Sequence, residues 1–293
     1  MHLPTVLLLL MKQNDHSRSD GRGAGRQSGE RLSKFLARYG LGSRRRIDQW
    51  IAAGRIRVNG KPAVLGIRIH AGDRIEIDGR PFRQRDMATE RPPKLAVLNK
   101  PVGVVCTRRD PQHRPVVFDL LPPLSCGRWI SVGRLDINTE GLMLFTDSGE
   151  LAHYFMHPSN QLEREYLARV YGRFDHRTVA ALVNSGAVLD GKVARLSFCR
   201  IQGGQGANRW LRLGITEGRQ REVRRLLGAC GLQVSRLKRI RFGPVALPET
   251  LAPGQVQVLS PSQITRLLGT CLKIDSGGAG WPGLLTSDRC EGA

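Results

Sequence analysis

A chain of 293 residues with 40% hydrophobic content is long enough for two domains, each with a core of useful size. Its 46 lysines and arginines against 25 aspartates and glutamates leave a formal charge of +21, a field that attracts polyanions and gives salt-dependent affinity for phosphates. The basic residues are spread through patterned segments and not gathered in one tail or one amphipathic helix, so nucleic acid is favoured over an anionic membrane.

The apolar start, Leu3 to Met11, is too short to span a bilayer. It lacks the preceding basic residue and the small-residue cleavage site of a signal peptide, and a misplaced start codon accounts for it as well as any function does. Residues 12–29 are almost free of apolar side chains, so the arm 1–29 is expected to be disordered. Residues 30–83 carry the pattern of a small domain. Leu32, Phe35, Leu36 and Tyr39 fall at helical spacing and Gly40 ends that helix; Ser43 caps a second, with Ile47, Trp50 and Ile51 on one face. Asn59-Gly60 marks a hairpin turn, and alternation predicts short strands around 55–58, 67–69 and 75–77. Residues 31–83 hold 13 basic and 4 acidic side chains. Arg44, Arg45 and Arg46 crowd the first turn of the second helix, where cations oppose the macrodipole and a docked phosphate would reverse the penalty. RNA contact is the reading preferred there over a merely solvated basic face.

A linker is predicted at 84–94. From 95 to 268 strand and helix signals alternate: strands at 95–99, 141–146, 164–171, 193–201, 210–216, 234–241 and 255–259, helices after Asp147, at 175–184, at 220–230 and after Ser260. The mixture implies an α+β domain on a mainly antiparallel mixed sheet. The glycine-rich tail, 269–293, is expected to be disordered. The six cysteines (Cys106, Cys126, Cys199, Cys230, Cys271 and Cys290) show no metal-ligand spacing and read as reduced thiols of a cytoplasmic protein.

Three segments could carry chemistry. In the first, a short apolar strand ends in Gly133-Arg134-Leu135-Asp136, and a polar turn with Thr139 and Gly141 leads into the apolar run 142–145. Asp136 thus sits on a loop beside a buried sheet, a common home for catalytic groups, although a turn aspartate bonding its own backbone fits the same pattern. In the second, 218–241, eight basic side chains accompany one acidic one, with Arg219, Arg221, Arg224 and Arg225 at the start of a helix whose buried face holds Val223, Leu226 and Leu227. Phosphate or a buried carboxylate would suit that cluster. In the third, alternation places Tyr166, Ala168 and Val170 on one strand face, where the tyrosine is either core or a platform for an extruded base. His153 and His157, spaced i,i+4, lack the glutamate and third ligand of a zinc site.

The blocks Asn99-Lys100-Pro101-x-Gly103, Gly133-Arg134-Leu135-Asp136-x-x-Thr139-x-Gly141-Leu142 and Glu217-Gly218-Arg219-x-Arg221-x-Val223-Arg224-Arg225 resemble those of the pseudouridine synthases of the small/large-subunit ribosomal RNA branch. Residues 30–83 resemble the S4-type RNA-binding domain that these enzymes carry at the N-terminus. Thr107-Arg108-x-Asp110-Pro111, Arg114-Pro115 and Gly127-Arg128-Trp129-Ile130 look most like the B-type, large-subunit subgroup. The resemblance implies an isomerase acting on a uridine of 23S rRNA, naked or within a pre-ribosomal particle, without cofactor or metal and as a monomer. It makes Asp136 the catalytic aspartate, Tyr166 the residue stacking on the target uracil, Arg224 the cation paired with Asp136, and Val223 and Leu237 apolar walls of the pocket. Arg134 would touch the RNA backbone or the flipped base; Arg44, Arg45, Arg46, Arg219, Arg221 and Arg225 would bind RNA. Rival readings are the same reaction on 16S rRNA, a non-catalytic rRNA-binding assembly protein, and a metal-dependent nuclease. The last would need convergent carboxylates where the loops offer arginines.

Overall fold

The computed structural model describes residues 29–82, 92–125, 127–173 and 176–274. The arm up to residue 28, most of the predicted linker and everything past Ile274 lie outside the described residues. The chain divides into two units, and the second begins at Lys94; the segments Pro123–Trp129 and Asp147–Gly149 group with the first.

In the first unit, β1 (Glu30–Arg31) leads into α1 (Leu32–Arg38) and α2 (Arg44–Ala52). The Ser43 hydroxyl accepts from the Arg46 backbone N–H at 3.1 Å, satisfying one donor that the helix start leaves open. Strands β2 (Ile56–Val58), β3 (Lys61–Pro62), β5 (Ile75–Ile77) and β6 (Arg80–Pro81) pair in the order β3-β2-β5-β6, while β4 (Arg68–Ile69) pairs with β1. Asn59 and Gly60 have φ of 53° and 77°, the two left-handed residues that a tight hairpin with the right strand twist requires. Leu32, Leu36, Ile47, Ile51, Ile56 and Ile75 are all buried in one core, so the two helices and the small sheet cover each other's apolar faces.

The second unit is built on a sheet in the order β13-β14-β10-β15-β9-β7-β17. Its strands are β7 (Leu95–Lys100), β9 (Glu140–Thr146), β10 (Arg164–Tyr171), β13 (Phe198–Gly203), β14 (Asn208–Ile215), β15 (Gln233–Phe242) and β17 (Val256–Val258). Short β8 (Ile130–Val132) pairs with β9 and β16 (Val245–Ala246) with β15. Every pairing in this sheet is antiparallel except that of β15 with β9, which is parallel and joins two antiparallel halves. Gly141 sits at that seam with φ of 103°, and a side chain there would collide with the Arg239 backbone. The helices are α3 (Gly149–Met156), α4 (His176–Asn184), α5 (Glu222–Ala229) and α6 (Pro261–Ile274).

Two expectations need correction. The predicted strand 193–201 is two strands: Lys192–Ala194 (β12) forms a separate hairpin with Ala187–Leu189 (β11), and the chain breaks before β13 enters the main sheet. The last helix continues through Ile274, past the expected domain end at 268. No helix among the described residues is long and apolar enough to cross a membrane.

Candidate active site

The seam between β9 and β15 is approached by the loop 133–139, which carries Asp136. Its backbone is held at five successive carbonyls. The Cys106 thiol donates to Leu135 O at 3.0 Å, and its sulfur also lies 3.4 Å from the Leu135 N–H. Thr139 N donates to Asp136 O at 3.0 Å, closing the turn, and Gly103 N donates to Ile137 O at 2.9 Å. Arg224 Nη2 donates to Asn138 O at 2.9 Å, and Lys100 Nζ to Thr139 O at 2.9 Å.

The Asp136 carboxylate itself makes no hydrogen bond or ion pair with any described residue, although Lys100 and Arg224 lie close enough to feel its charge. A rigid loop that presents an unshared carboxylate is arranged to act on something other than the protein.

Lys100 ends a strand in which all six residues are buried. Its ammonium also donates to Pro101 O at 2.9 Å, so a cation sits under the aspartate loop and is satisfied chiefly by carbonyls. Burial pushes its pKa below the ordinary lysine range, against the opposing pull of Cys106, Asp136 and Glu140. Arg224, in the first turn of α5, also donates to Val234 O at 2.8 Å and so ties the helix to both β15 and the aspartate loop. Its pKa is lowered by burial first and by Arg221 second, with Asp136 opposing. The resemblance implied a direct pair between Arg224 and Asp136. Among the described residues the two interact through space, while both terminal nitrogens of the guanidinium donate to carbonyls.

Tyr166 is buried on β10, in register with Arg239 of β15, and Arg239 is in register with Gly141 of β9. Arg239 is 2% exposed, donates from Nε to Leu142 O at 2.8 Å and lies 5.0 Å from the centre of the Phe242 ring. Leu237, two residues earlier, lies opposite Ala168 on the same face, and Val223 is buried at the start of α5. Tyr166, Leu237 and Arg239 therefore share one sheet face. Arg134 is exposed, as are Arg221 and, in the first unit, Arg44, Arg45 and Arg46.

Two of the arginines expected to bind RNA are used inside the protein. Arg219 donates to the carbonyls of Leu189, Lys192 and Val193 and pairs with Glu217. Arg225 makes a two-pronged bond to Asp190 at 2.7 and 2.8 Å. Together they fasten the β11–β12 hairpin to α5. Three residues absent from the sequence-derived site belong to it by geometry: Lys100, Cys106 and Arg239. Lys100 stood in a recognised block but carried no role there.

Comparison with known proteins gives the family. A family model described as RNA pseudouridylate synthase matches residues 94–229, and an S4 domain model matches residues 30–75. The ribosomal large subunit pseudouridine synthase B of Salmonella typhimurium is 47% identical over 242 residues, 82% of each chain. This chain belongs to the RNA pseudouridylate synthase family. The protein of the same name from Pseudomonas aeruginosa is 49% identical over 236 residues, which span 80% of this chain but only 61% of that one. A crystal structure titled as a pseudouridylate synthase aligns with a TM-score of 0.56 at 28% identity, covering 81% of this chain and 99% of the other. The α+β architecture with an N-terminal S4 domain is thus that of a pseudouridine synthase, and the loop 133–139 and β9 lie inside the span that the synthase model matches.

Within this synthase the loop after β7 carries a pH-sensitive clasp. Asp110 accepts from the backbone N–H of Arg114 at 3.0 Å and from its Nε and Nη2 at 2.9 and 2.7 Å. The Arg114 side chain is the main reason the carboxyl falls to about 2. A carboxyl whose folded value lies below its unfolded one stabilises the loop at neutral pH and loses that contribution as pH falls from the ordinary carboxylate range through about 2. Amide protection in residues 107–115, measured against the intrinsic exchange rate at each pH, is therefore expected to fall selectively in acid, and Asp110→Asn should show the low protection already at neutral pH. Equal protection in the variant and the wild type would remove the clasp.

Proposed function

We propose that this protein isomerises a uridine of large-subunit ribosomal RNA (23S) to pseudouridine, with Asp136 as its catalytic group. The observation that carries the proposal is the loop 133–139, in which every carbonyl from Leu135 to Thr139 is bonded while the Asp136 carboxylate is left unshared. The large-subunit assignment rests on the names of the relatives.

The reaction balances within the nucleotide: the N1–C1′ bond breaks, the base turns, C5 bonds to C1′, and the proton lost from C5 is matched by one gained at N1. The target must first leave its stack, which costs a few kcal/mol and calls for a surface to receive the base. Tyr166 supplies that surface, with Leu237 and Val223 as apolar walls. Asp136 acts at the sugar, as a nucleophile or stabilising anion at C1′ or as a base toward a sugar proton. Lys100 and Arg224 hold the loop and favour the ionised carboxylate. Arg134, Arg221 and the Arg44–Arg46 cluster meet RNA phosphates, and the S4 domain docks the ribosomal RNA, as free RNA or in a pre-ribosomal particle. The protein works as a cytoplasmic monomer; the free thiols of Cys106, Cys199 and Cys230 accord with that compartment.

Incubating the purified protein with transcribed large-subunit rRNA and mapping pseudouridine should reveal one modified site, formed equally in the presence of a chelator. No modified uridine in that RNA, with modification of small-subunit RNA instead, would overturn the substrate assignment.

Tyr166 also gives a residue-level test. Tyr166→Phe keeps the aromatic face and should retain most base affinity, whereas Tyr166→Leu should lose about 1–3 kcal/mol of base stacking, read as weaker target binding and slower single-turnover kinetics. Because Tyr166 is 7% exposed, a melting curve must accompany the kinetics. A folded Leu variant with normal turnover would make Tyr166 a packing residue.

A further inference from the structure

The half-sheet β13-β14-β10-β15 has two unlike faces. Tyr166, Ala168 and Val170 lie on one, with Leu213 and Leu211 beside them, and α5 packs against that half through β15. Alternation sends Arg169, Arg200, Arg212, Arg236, Lys238 and Arg241 to the other. The register sets like charges side by side: Arg169 lies opposite Arg236, and Arg200 opposite Arg212. Such neighbours destabilise a sheet.

One carboxylate offsets part of the charge. Glu165, buried on this face, pairs with Arg212 at 2.5 Å and Arg241 at 2.9 Å. Arg169, Arg200 and Arg236 have no carboxylate partner among the described residues, and Arg200 and Arg236 are exposed. Trp210 stands in the same row as Arg169 and Arg236, and Tyr171, 55% exposed, lies one step along the strand on the same face. Unpaired cations with aromatic rings beside them on one face match an unpaired polynucleotide, whose phosphates neutralise the charge and whose bases stack on the rings. An acidic protein surface would meet the cations but would leave the neighbouring rings without a role.

We propose that this face, turned away from Tyr166, is a second RNA-contact surface that holds an unpaired stretch of ribosomal RNA outside the segment carrying the target uridine. The identity of that RNA rests on the function proposed above; the binding surface itself rests on the charge and ring pattern. The enzyme would then grip a large substrate from two sides of one sheet, and a short target stem-loop would use only one of them.

The test compares the full-length protein with a triple variant, Arg169→Gln, Arg200→Gln and Arg236→Gln, on a short stem-loop bearing the mapped target and on a long rRNA fragment around it. On the long fragment the variant should bind about tenfold more weakly, and the slope of log affinity against log salt should fall by about 2, as expected for three lost phosphate contacts on a single strand. On the stem-loop its affinity and single-turnover rate should match the wild type. A triple lysine variant at the same positions should keep the wild-type salt slope. Unchanged affinity and slope on the long fragment would overturn the proposal and leave the face to a protein partner or to none. Equal losses on both RNAs would also overturn it, by placing the face within the target site. Failure of the wild type to modify either RNA would instead refute the proposed function, while the binding comparison would still read out this surface.

Discussion

Asp136→Asn is expected to abolish isomerisation, lowering the single-turnover rate by at least about 10³-fold, while RNA affinity stays within a few-fold. The exchange removes a negative charge and a proton acceptor with almost no change in volume, and acid–base or nucleophilic roles of a single group are typically worth that much. Affinity should survive because the basic surfaces lie elsewhere, on Arg134, Arg221 and the S4 domain. The variant should also fold normally. The Asp136 side chain makes no hydrogen bond to a described residue, and the Asp136 carbonyl that receives the Thr139 N–H is backbone and untouched. A folded asparagine variant with substantial turnover would move the chemistry to another residue.

The second large effect is expected at Lys100. Lys100→Met keeps much of the side-chain length and apolar volume but strips the donor shared by the carbonyls of Pro101 and Thr139. Hydrogen bonds from a charged group contribute about 1.5–3 kcal/mol each, and acceptors left buried without a donor add to the loss, so denaturant unfolding should show a decrease of about 3 kcal/mol or more. The aspartate loop would lose one of its five anchors. A displacement of about 1 Å at a reacting group can cost roughly 10²-fold in rate, so kcat should fall far more than KM rises. Chemical denaturation and single-turnover kinetics at saturating RNA separate the two consequences. A variant as stable and as fast as the wild type would show that the buried ammonium is incidental.

What the sequence made legible was local. The Asn59-Gly60 turn, the Ser43 cap and the strand at 164–171 each follow from neighbouring residues, and each stands where the pattern placed it. The position of Asp136 on a loop between two strands was equally local. The long-range contacts were not legible. Arg239 and Leu142 are 97 residues apart in sequence, and nothing near either one announces that they meet at the only parallel pairing among the described strands of the large sheet. A lysine ending a strand ordinarily reads as solvated, so the burial of Lys100 under the distant aspartate loop was invisible in its own neighbourhood. Arg219 and Arg225 illustrate the opposite error. Their density at a helix start invites a phosphate, but the β11–β12 hairpin folds back and supplies carbonyls and Asp190 in its place. The pattern runs the second strand of that hairpin into β13 and leaves the first strand without a signal, so the partners of the two arginines are hidden along with it.

The most direct test of the central claim is a map of pseudouridine in ribosomal RNA from cells lacking this protein, resupplied with either the wild-type chain or Asp136→Asn. One large-subunit site should be unmodified in the deletion strain, return with the wild type and stay unmodified with the asparagine variant expressed at the same level. Restoration of that site by Asp136→Asn, or a complete set of large-subunit pseudouridines in the deletion strain, would contradict it.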